Sequence, residues 1–447
     1  MASPRLPREP RLDAAGRLRP SLTSWLRKPL SPAARRLLDW IAAQAQDRPL
    51  YLVGGFVRDL FLARPSLDLD VVIEGDAIQF GRKLVRQLGG DLQTHPAFRT
   101  AVWLLPQRPA LLAGIKGKLP THIDLISARR ERYPQPAALP QVELADLAAD
   151  QARRDFSINT LALRLNGEQA GHLHDPFGGL ADLRRGLVRT LHAQSFVDDP
   201  TRMLRALRFA GRLGFRLAPA TRQELARHLP GLAQVSGERI FHELELALQE
   251  RPRVPILQAM QRAGLLGVIH PQLSFPKQAA AALQPRPKPP AYWGLSAESA
   301  TRVDLALWLM WLPLQAVEAI AERLRFEGEL RQLTLVAARL HSERRRLARL
   351  SPSALVSHLE RQPLAAVYAL WLTAGSPLTA QLEGYARRWR HVQPHADGHA
   401  LRRRGLPPGP AYAHILARLR AAWLDGEVRS ARQEAALLEE LLREAGR

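Results

Sequence analysis

The chain has 447 residues, an apolar share of 46%, and 64 Lys+Arg against 42 Asp+Glu, for a formal charge of +22. That length allows two to four packed units, and the charge predicts a polyanionic partner, nucleic acid before membrane, although a GC-rich genome's preference for Arg codons gives the same bias. With no Cys, disulfides and thiolate metal sites are excluded. The N-terminus carries no apolar secretory stretch. The most apolar run, residues 305–314, is too short to span a bilayer, so a cytoplasmic location is expected.

Residues 1–35 are rich in Pro, Arg and Ser with little periodicity and are expected to form a flexible basic arm. Residues 36–180 mix two periods. Segments 51–53, 69–73, 101–105 and 123–126 read as short strands, and 77–88 as an amphipathic helix. Residues 181–274 have helical period almost throughout. Residues 275–294, FPKQAAAALQPRPKPPAYWG, read as a linker or long loop, and residues 295–447 return to helical period. The fold class is therefore α+β: a mixed head followed by an all-α remainder, with no internal repeat.

The densest stretch is YLVGGFVRDLFLARPSLDLD, residues 51–70. A short apolar run ends in Gly54-Gly55, a pair that lets a backbone approach phosphates closely. A helical segment with Arg58 and Asp59 follows. Asp68 and Asp70 then alternate with Leu69 and Val71, so both carboxylates project to one face of a strand. Two such carboxylates repel unless a cation lies between them, and Mg²⁺ suits oxygen ligands with room for phosphates. Alone, Asp-x-Asp is commonly surface polarity and Gly-Gly a turn; their order is what carries information. Asp124 alternates with Ile123 and Leu125 and becomes a third carboxylate if its strand lies beside the first, enough for two metal ions. Residues 106–122, with Gly114, Gly117, Lys116 and Lys118, read as a long mobile loop at the mouth of such a site or as a surface insertion.

In ARRDFSINTLAL, Asp155 could cap a helical turn while Phe156, Ile158 and Leu161 enter the core, which leaves Arg153 and Arg154 unexplained. Gly178 and Gly179 of DPFGG suit a hinge or a turn. In FVDDPTRMLRALRFAGRLGF, Asp199-Pro200 marks a helix start, and Arg202, Arg205 and Arg208 recur every three residues. Capping and a solvated face are the plain readings. Asp199 with Arg202 also offers an acceptor beside donors. Cytosine and adenine present the complement, an amino group beside a ring nitrogen, while uracil and guanine present the reverse. Mismatch would leave buried polar groups unpaired, so such a pair selects C and A.

These motifs, in this order over about residues 48–250, resemble the nucleotidyltransferase superfamily that includes DNA polymerase beta. More narrowly, they are similar to the class II tRNA nucleotidyltransferase and bacterial poly(A) polymerase family. RRDFSIN matches the family's Arg-Arg-Asp-Phe-Thr-Ile-Asn with Ser157 for Thr, and Asp198 stands where the family usually has Glu. The resemblance implies a polymerase-beta-like head over 36–180 with a mixed, mainly antiparallel sheet. It further implies an all-α neck with a base-recognition helix over 181–274, and a helical body and tail for tRNA binding over 295–447. Asp68, Asp70 and Asp124 would be catalytic and hold Mg²⁺; Gly54, Gly55 and Arg58 would meet the triphosphate. Arg154 and Asp155 would meet the ribose, and Asp199 and Arg202, with Arg205 and Arg208 on the same helix, would bind the nucleotide. In SGERIFHELEL, Glu238 and Arg239 would buttress the recognition helix. Loop 106–122 would take part in completing the final adenosine. The implied activity is addition of CCA to the tRNA 3′ end from CTP and ATP without a template, with no membrane and no obligate protein partner. An A-adding or CC-adding specialist, a poly(A) polymerase, and a non-catalytic tRNA-binding protein are the alternatives. Arg-rich segments 344–349 and 402–404 are candidates for tRNA phosphate contacts.

Overall fold

The computed structural model describes residues 9–107, 109–132 and 140–445. The chain divides into two compact units, one of Met1–Arg239 with Arg262–Val268, the other of Ile240–Gln261 with Ile269–Arg447.

In the first unit, β1 (Arg11–Leu12) and β2 (Leu18–Arg19) form a hairpin. Asp13 closes it, its carboxylate accepting from the backbone of Ala15 and Arg17. α1 (Leu22–Leu26) and α2 (Pro32–Gln44) follow, with the Ser31 hydroxyl capping α2 at Ala34 N. The flexible basic arm expected over residues 1–35 is corrected here for residues 9–35; residues 1–8 lie outside the described residues. Leu18, Trp25, Leu26 and Leu30 are buried, and Trp25 packs edge-on against Phe61 at 5.5 Å. Four spaced apolar anchors suffice to fix a segment too short to show periodicity.

Next come β3 (Leu50–Val53), α3 (Gly54–Phe61), β4 (Asp70–Ile73), α4 (Ala77–Leu88), β5 (Asp91–His95), β6 (Thr100–Leu104) and β7 (His122–Ser127). A small ladder of β8 (Arg129–Arg132) and β9 (Gln141–Leu144) precedes α5 (Leu147–Ala152), β10 (Ala162–Arg164) and β11 (Leu173–His174). Seven strands form one sheet in the order β11-β10-β3-β4-β7-β6-β5. Each neighbouring pair is antiparallel except β4 and β7, which agrees with the mixed, mainly antiparallel sheet expected. α4 spans the residues its pattern predicts: Asp76 caps it at Gln79 N, and Phe80 and Leu84 are buried.

α6 (Gly179–Arg185), α7 (Ser195–Asp198) and α8 (Thr201–Leu213) complete the surroundings of the site. Two short strands, Leu187–Val188 and Arg216–Leu217, pair in parallel within the segment expected to be all helix. Residues 181–239, expected in a separate neck, cluster with the head in one unit. At DPFGG the hinge reading gives way to a close-packed turn. Asp175 accepts from Gly179 N and Leu180 N, and a Cβ on Gly179 would come within 2.2 Å of the Ser157 carbonyl oxygen.

The second unit is helical. The linker expected over 275–294 is folded instead: it contains the helix Lys277–Ala282 and the turn Ala291–Trp293, whose Trp293 is fully buried against Tyr368. Helices Pro410–Asp425 and Ala431–Ala445 pack through Ile415, Leu419 and Leu438. Among the described residues no helix is long and apolar enough to cross a membrane.

Candidate active site

The parallel register of β4 and β7 sets Asp70 opposite Asp124. Asp68, in the coil just before β4, comes beside His122 at the start of β7, with His122 Nε2 3.9 Å from Asp68 Oδ1. Ligand atoms of Asp68, His122 and Asp124 all lie within 4.8 Å of one another. Burial, then the charges of Asp68 and Asp124, push the Asp70 carboxyl up to about 7 against the pull of Arg154 and Arg58. Burial also raises Asp124, with His122 opposing and Asp68 adding. Arg154 and Arg58 offset only part of the charge around Asp70, and an acidic cluster of this kind fits a divalent cation.

α3 begins where β3 ends. Gly54 has φ +63, a left-handed conformation open to Gly, and a Cβ there would sit 3.1 Å from Arg154 Nη1 and 3.5 Å from Asp70 Oδ2. The N-terminus of α3 thus faces the acidic cluster with no side chain between. Arg58, expected at the triphosphate, is buried and engaged. It donates to both Asp59 oxygens at 2.9 and 3.0 Å and to Asn159 Oδ1 at 2.7 Å. It is a strut that ties α3 to the RRDFSIN segment.

That segment is held by charge. Asp150, fully buried, accepts from Arg153 at 2.6 Å and Arg154 at 2.9 Å. Arg153 also reaches Glu131 at 3.0 Å, and Glu131 pairs with Arg129 at 2.8 Å. Asp155 accepts from Phe156 N and Asn159 Nδ2, bracing the turn Ser157–Asn159 from its side, and its other oxygen takes Arg205 at 2.8 Å. Burial would raise Asp155, but Arg205 and Asn159 hold it below the ordinary carboxylate range. Arg154 and Arg153 do the same for Asp150. The capping reading of Asp155 gives way: Phe156 is the cap residue of the turn, with no side-chain cap bond, and Asp155 instead ties the Asn159 side chain to Arg205.

α8 supplies the next wall. Arg202 donates to Ser195 Oγ and to the Arg153 carbonyl, both at 2.8 Å. Asp199 Oδ1 accepts from Thr201 N, Thr201 Oγ1 and Arg239 Nη2. Arg239, at 2.8 Å, gives Asp199 the support expected of it. Asp199 Oδ2 accepts no bond from a described residue, and Asp199 and Arg202 form no ion pair with each other.

One cavity of ≈ 570 Å³ gathers these elements. Gly54, Gly55, Arg58, Asp68, Asp70, Arg154, Asp155, Asp199, Arg202 and Arg205 line it. Asp124 and Arg208 are not among the residues that line it. At about 100° per residue, Arg208 lies about 120° around the helix from Arg202, whereas Arg205, Phe209 and Arg212 stay within about 80°. Phe209 and Arg212 therefore line the cavity, and Arg208 is buried elsewhere. Among the described residues of 106–122 none lines the cavity. The Lys118 carbonyl accepts from Ser31 Oγ at 2.7 Å, and Gly117 lies so close that a Cβ would be 2.4 Å from Ser31 Cβ. At Gly117 and Lys118 the segment is thus seated on the start of α2. Sequence reasoning missed Arg129, Glu131, Asp150 and Asn159, whose roles depend on partners across the fold. It also missed His122, which the alternation that found Asp124 would have revealed.

Residues 50–189 match the Poly A polymerase head domain, and residues 214–275 match the family described as "Probable RNA and SrmB- binding site of polymerase A". The A-adding tRNA nucleotidyltransferase of Halalkalibacterium halodurans is 34% identical over 382 residues, 82% of this chain and 82% of that protein. The A-adding tRNA nucleotidyltransferase of Geobacter sulfurreducens is 35% identical over 85% of this chain, which spans 44% of that relative's length. A solved apo CCA-adding enzyme superposes with a TM-score of 0.74 at 26% identity, covering 95% of this chain and 98% of that one. Sheet topology, motif order and relatives agree: the chain belongs to the class II tRNA nucleotidyltransferase and poly(A) polymerase family.

Proposed function

We propose that this chain adds the terminal A of the tRNA 3′ end, using ATP and releasing pyrophosphate. The observation that carries the reading is the single cavity in which an acidic strand pair, the start of α3, the ribose segment and Asp199 with Arg202 converge. Both relatives aligned over more than 80% of the chain are named A-adding.

In this mechanism the positive end of α3 at Gly54 and Gly55 receives the triphosphate, because backbone N–H groups and the helix dipole favour anions. Arg58, locked to Asp59 and Asn159, fixes the geometry of that helix and does not bind substrate itself. Asp155 and Arg154 lie where ribose hydroxyls and phosphate oxygens would be held. Asp199 Oδ2 accepts from the exocyclic amino group of the base, and Arg202 donates to the adjacent ring nitrogen. Asp68, Asp70 and Asp124 would hold a divalent cation, Mg²⁺ in this reading, which supplies charge neutralisation at the α-phosphate and activation of the primer 3′ hydroxyl. Positioning does the rest, holding the hydroxyl in line with the leaving pyrophosphate. Exposed arginines in the helical half, Arg345 and Arg402 to Arg404 among them, would meet tRNA phosphates, since duplex RNA is read mainly by shape and backbone.

Addition of the complete CCA from CTP and ATP, the activity anticipated from the sequence, is the second reading. It is favoured by the edge pattern Asp199 and Arg202 would read, which cytosine and adenine share. An extension assay separates the two. Purified protein with Mg²⁺ is offered tRNA ending before the first C, after C, or after CC, with each nucleotide alone and in mixture. A added only to tRNA ending in CC supports the first reading, C-C-A supports the second, and a long A tail or no incorporation refutes both.

A further inference from the structure

We propose that His122 is a nitrogen ligand of the catalytic cation, and that it raises the affinity of this site for a borderline metal such as Mn²⁺ or Co²⁺ while adding little to that for Mg²⁺. The inference deepens the metal-dependent reading above and rests on it. Its basis is the register. Asp70 faces Asp124 across the parallel pair, and the Asp124 N–H donates to the Leu69 carbonyl at 3.1 Å. Just before β4 and at the start of β7, Asp68 and His122 lie side by side, with His122 Nε2 3.9 Å from Asp68 Oδ1. Ligand atoms of Asp68, His122 and Asp124 converge within 4.8 Å, and Asp70 completes the square of residues by its register with Asp124.

The imidazole is oriented for this role. His122 Nδ1 lies 3.1 Å from Thr121 Oγ1. With Nδ1–H donating to that hydroxyl, Nε2 is left as the lone pair aimed at the carboxylates. Metal-binding histidines are commonly oriented through the other ring nitrogen in this way. Other titratable groups near the square are Asp70 within it and His95 near Asp124. Mg²⁺ holds to oxygen and sheds water reluctantly, whereas imidazole raises affinity for first-row transition ions in the order Mn²⁺ < Fe²⁺ < Co²⁺. A purely carboxylate site shows that bias more weakly.

The test uses the full-length, metal-free protein titrated with Mn²⁺ and followed by electron paramagnetic resonance, with pulsed measurement of ¹⁴N coupling to the bound ion. The expected result is ¹⁴N modulation in the native protein that disappears in His122→Gln and persists in His95→Gln. Mn²⁺ affinity should fall by about tenfold or more in His122→Gln, while Mg²⁺ affinity, read by competition, changes by less than about twofold. Bound Mn²⁺ without nitrogen coupling in the native protein overturns the assignment, whatever the variants do. Coupling that survives His122→Gln, or is lost in His95→Gln, also overturns it. Failure of the native protein to bind Mn²⁺ or Mg²⁺ overturns both this assignment and the metal-dependent reading beneath it.

Discussion

Two walls of one cavity handle charge in opposite ways. On the Arg-rich wall, Asp150, Asp155, Arg153, Arg154 and Arg205 are paired at 2.6–2.9 Å, and each carboxylate is held below its ordinary range. On the acidic wall, burial and then the charges of Asp68 and Asp124 raise Asp70 to about 7. The first wall has its charges paired before any ligand arrives, so it presents a fixed surface to the cavity. The second is unfavourable without a cation, so its arrangement makes sense only as a binding surface.

Breaking each wall should therefore have different consequences. Asp70→Asn should cost about a thousandfold or more in turnover, yet leave the metal-free protein as stable as before or more so, since it removes a strained charge. Parallel assays of extension rate and thermal unfolding check this; a clear loss of stability would contradict the comparison. Asp150→Ala should destabilise by about 3–5 kcal/mol, because two part-buried guanidinium groups lose their shared partner. Urea unfolding measures it, and a neutral result would show the clamp is dispensable.

Asp199→Asn sharpens the comparison at the third wall. It should lower discrimination for C or A over U and G by about a hundredfold while changing ATP turnover less, as misincorporation assays would show. The smallest effect concerns pH. Asp70, shifted upward from 3.8 to about 7, contributes stability below pH 3.8 that is lost as pH rises toward 7. Asp150 and Asp155, shifted downward from 3.8, contribute stability that is lost only as pH falls below that value. Metal-free protein should therefore lose about 2–4 °C of Tm between pH 5 and pH 8, and Mg²⁺ should restore more at pH 8 than at pH 6. Equal stabilisation at both pH values would refute the Asp70 assignment.

Much of the site was legible because its signals are local. Alternation placed Asp68 and Asp70 together and predicted the Asp124 strand; the Gly pair marked a turn whose left-handed Gly54 the structure requires. Helical twist, applied strictly, puts Arg208 about 120° around the helix from Arg202. What could not be read locally depends on distant partners. Arg58 looks like a free cation until Asn159, 101 residues away, is placed beside it. Loop 106–122 looks mobile until Ser31 is packed under Gly117. The N-terminal segment looks featureless because each of its elements is shorter than the window in which periodicity shows.

That segment has one further consequence. β11 is the last strand of the sheet, and Leu18 N donates to the Gly171 carbonyl while Leu173 N donates to that of Gly16. Residues 16–18 therefore cover a border whose amide groups would otherwise be open to pairing with another chain. Trimming the segment leaves the catalytic groups untouched but exposes a strand template. Self-association would then be the first symptom, ahead of any change in chemistry.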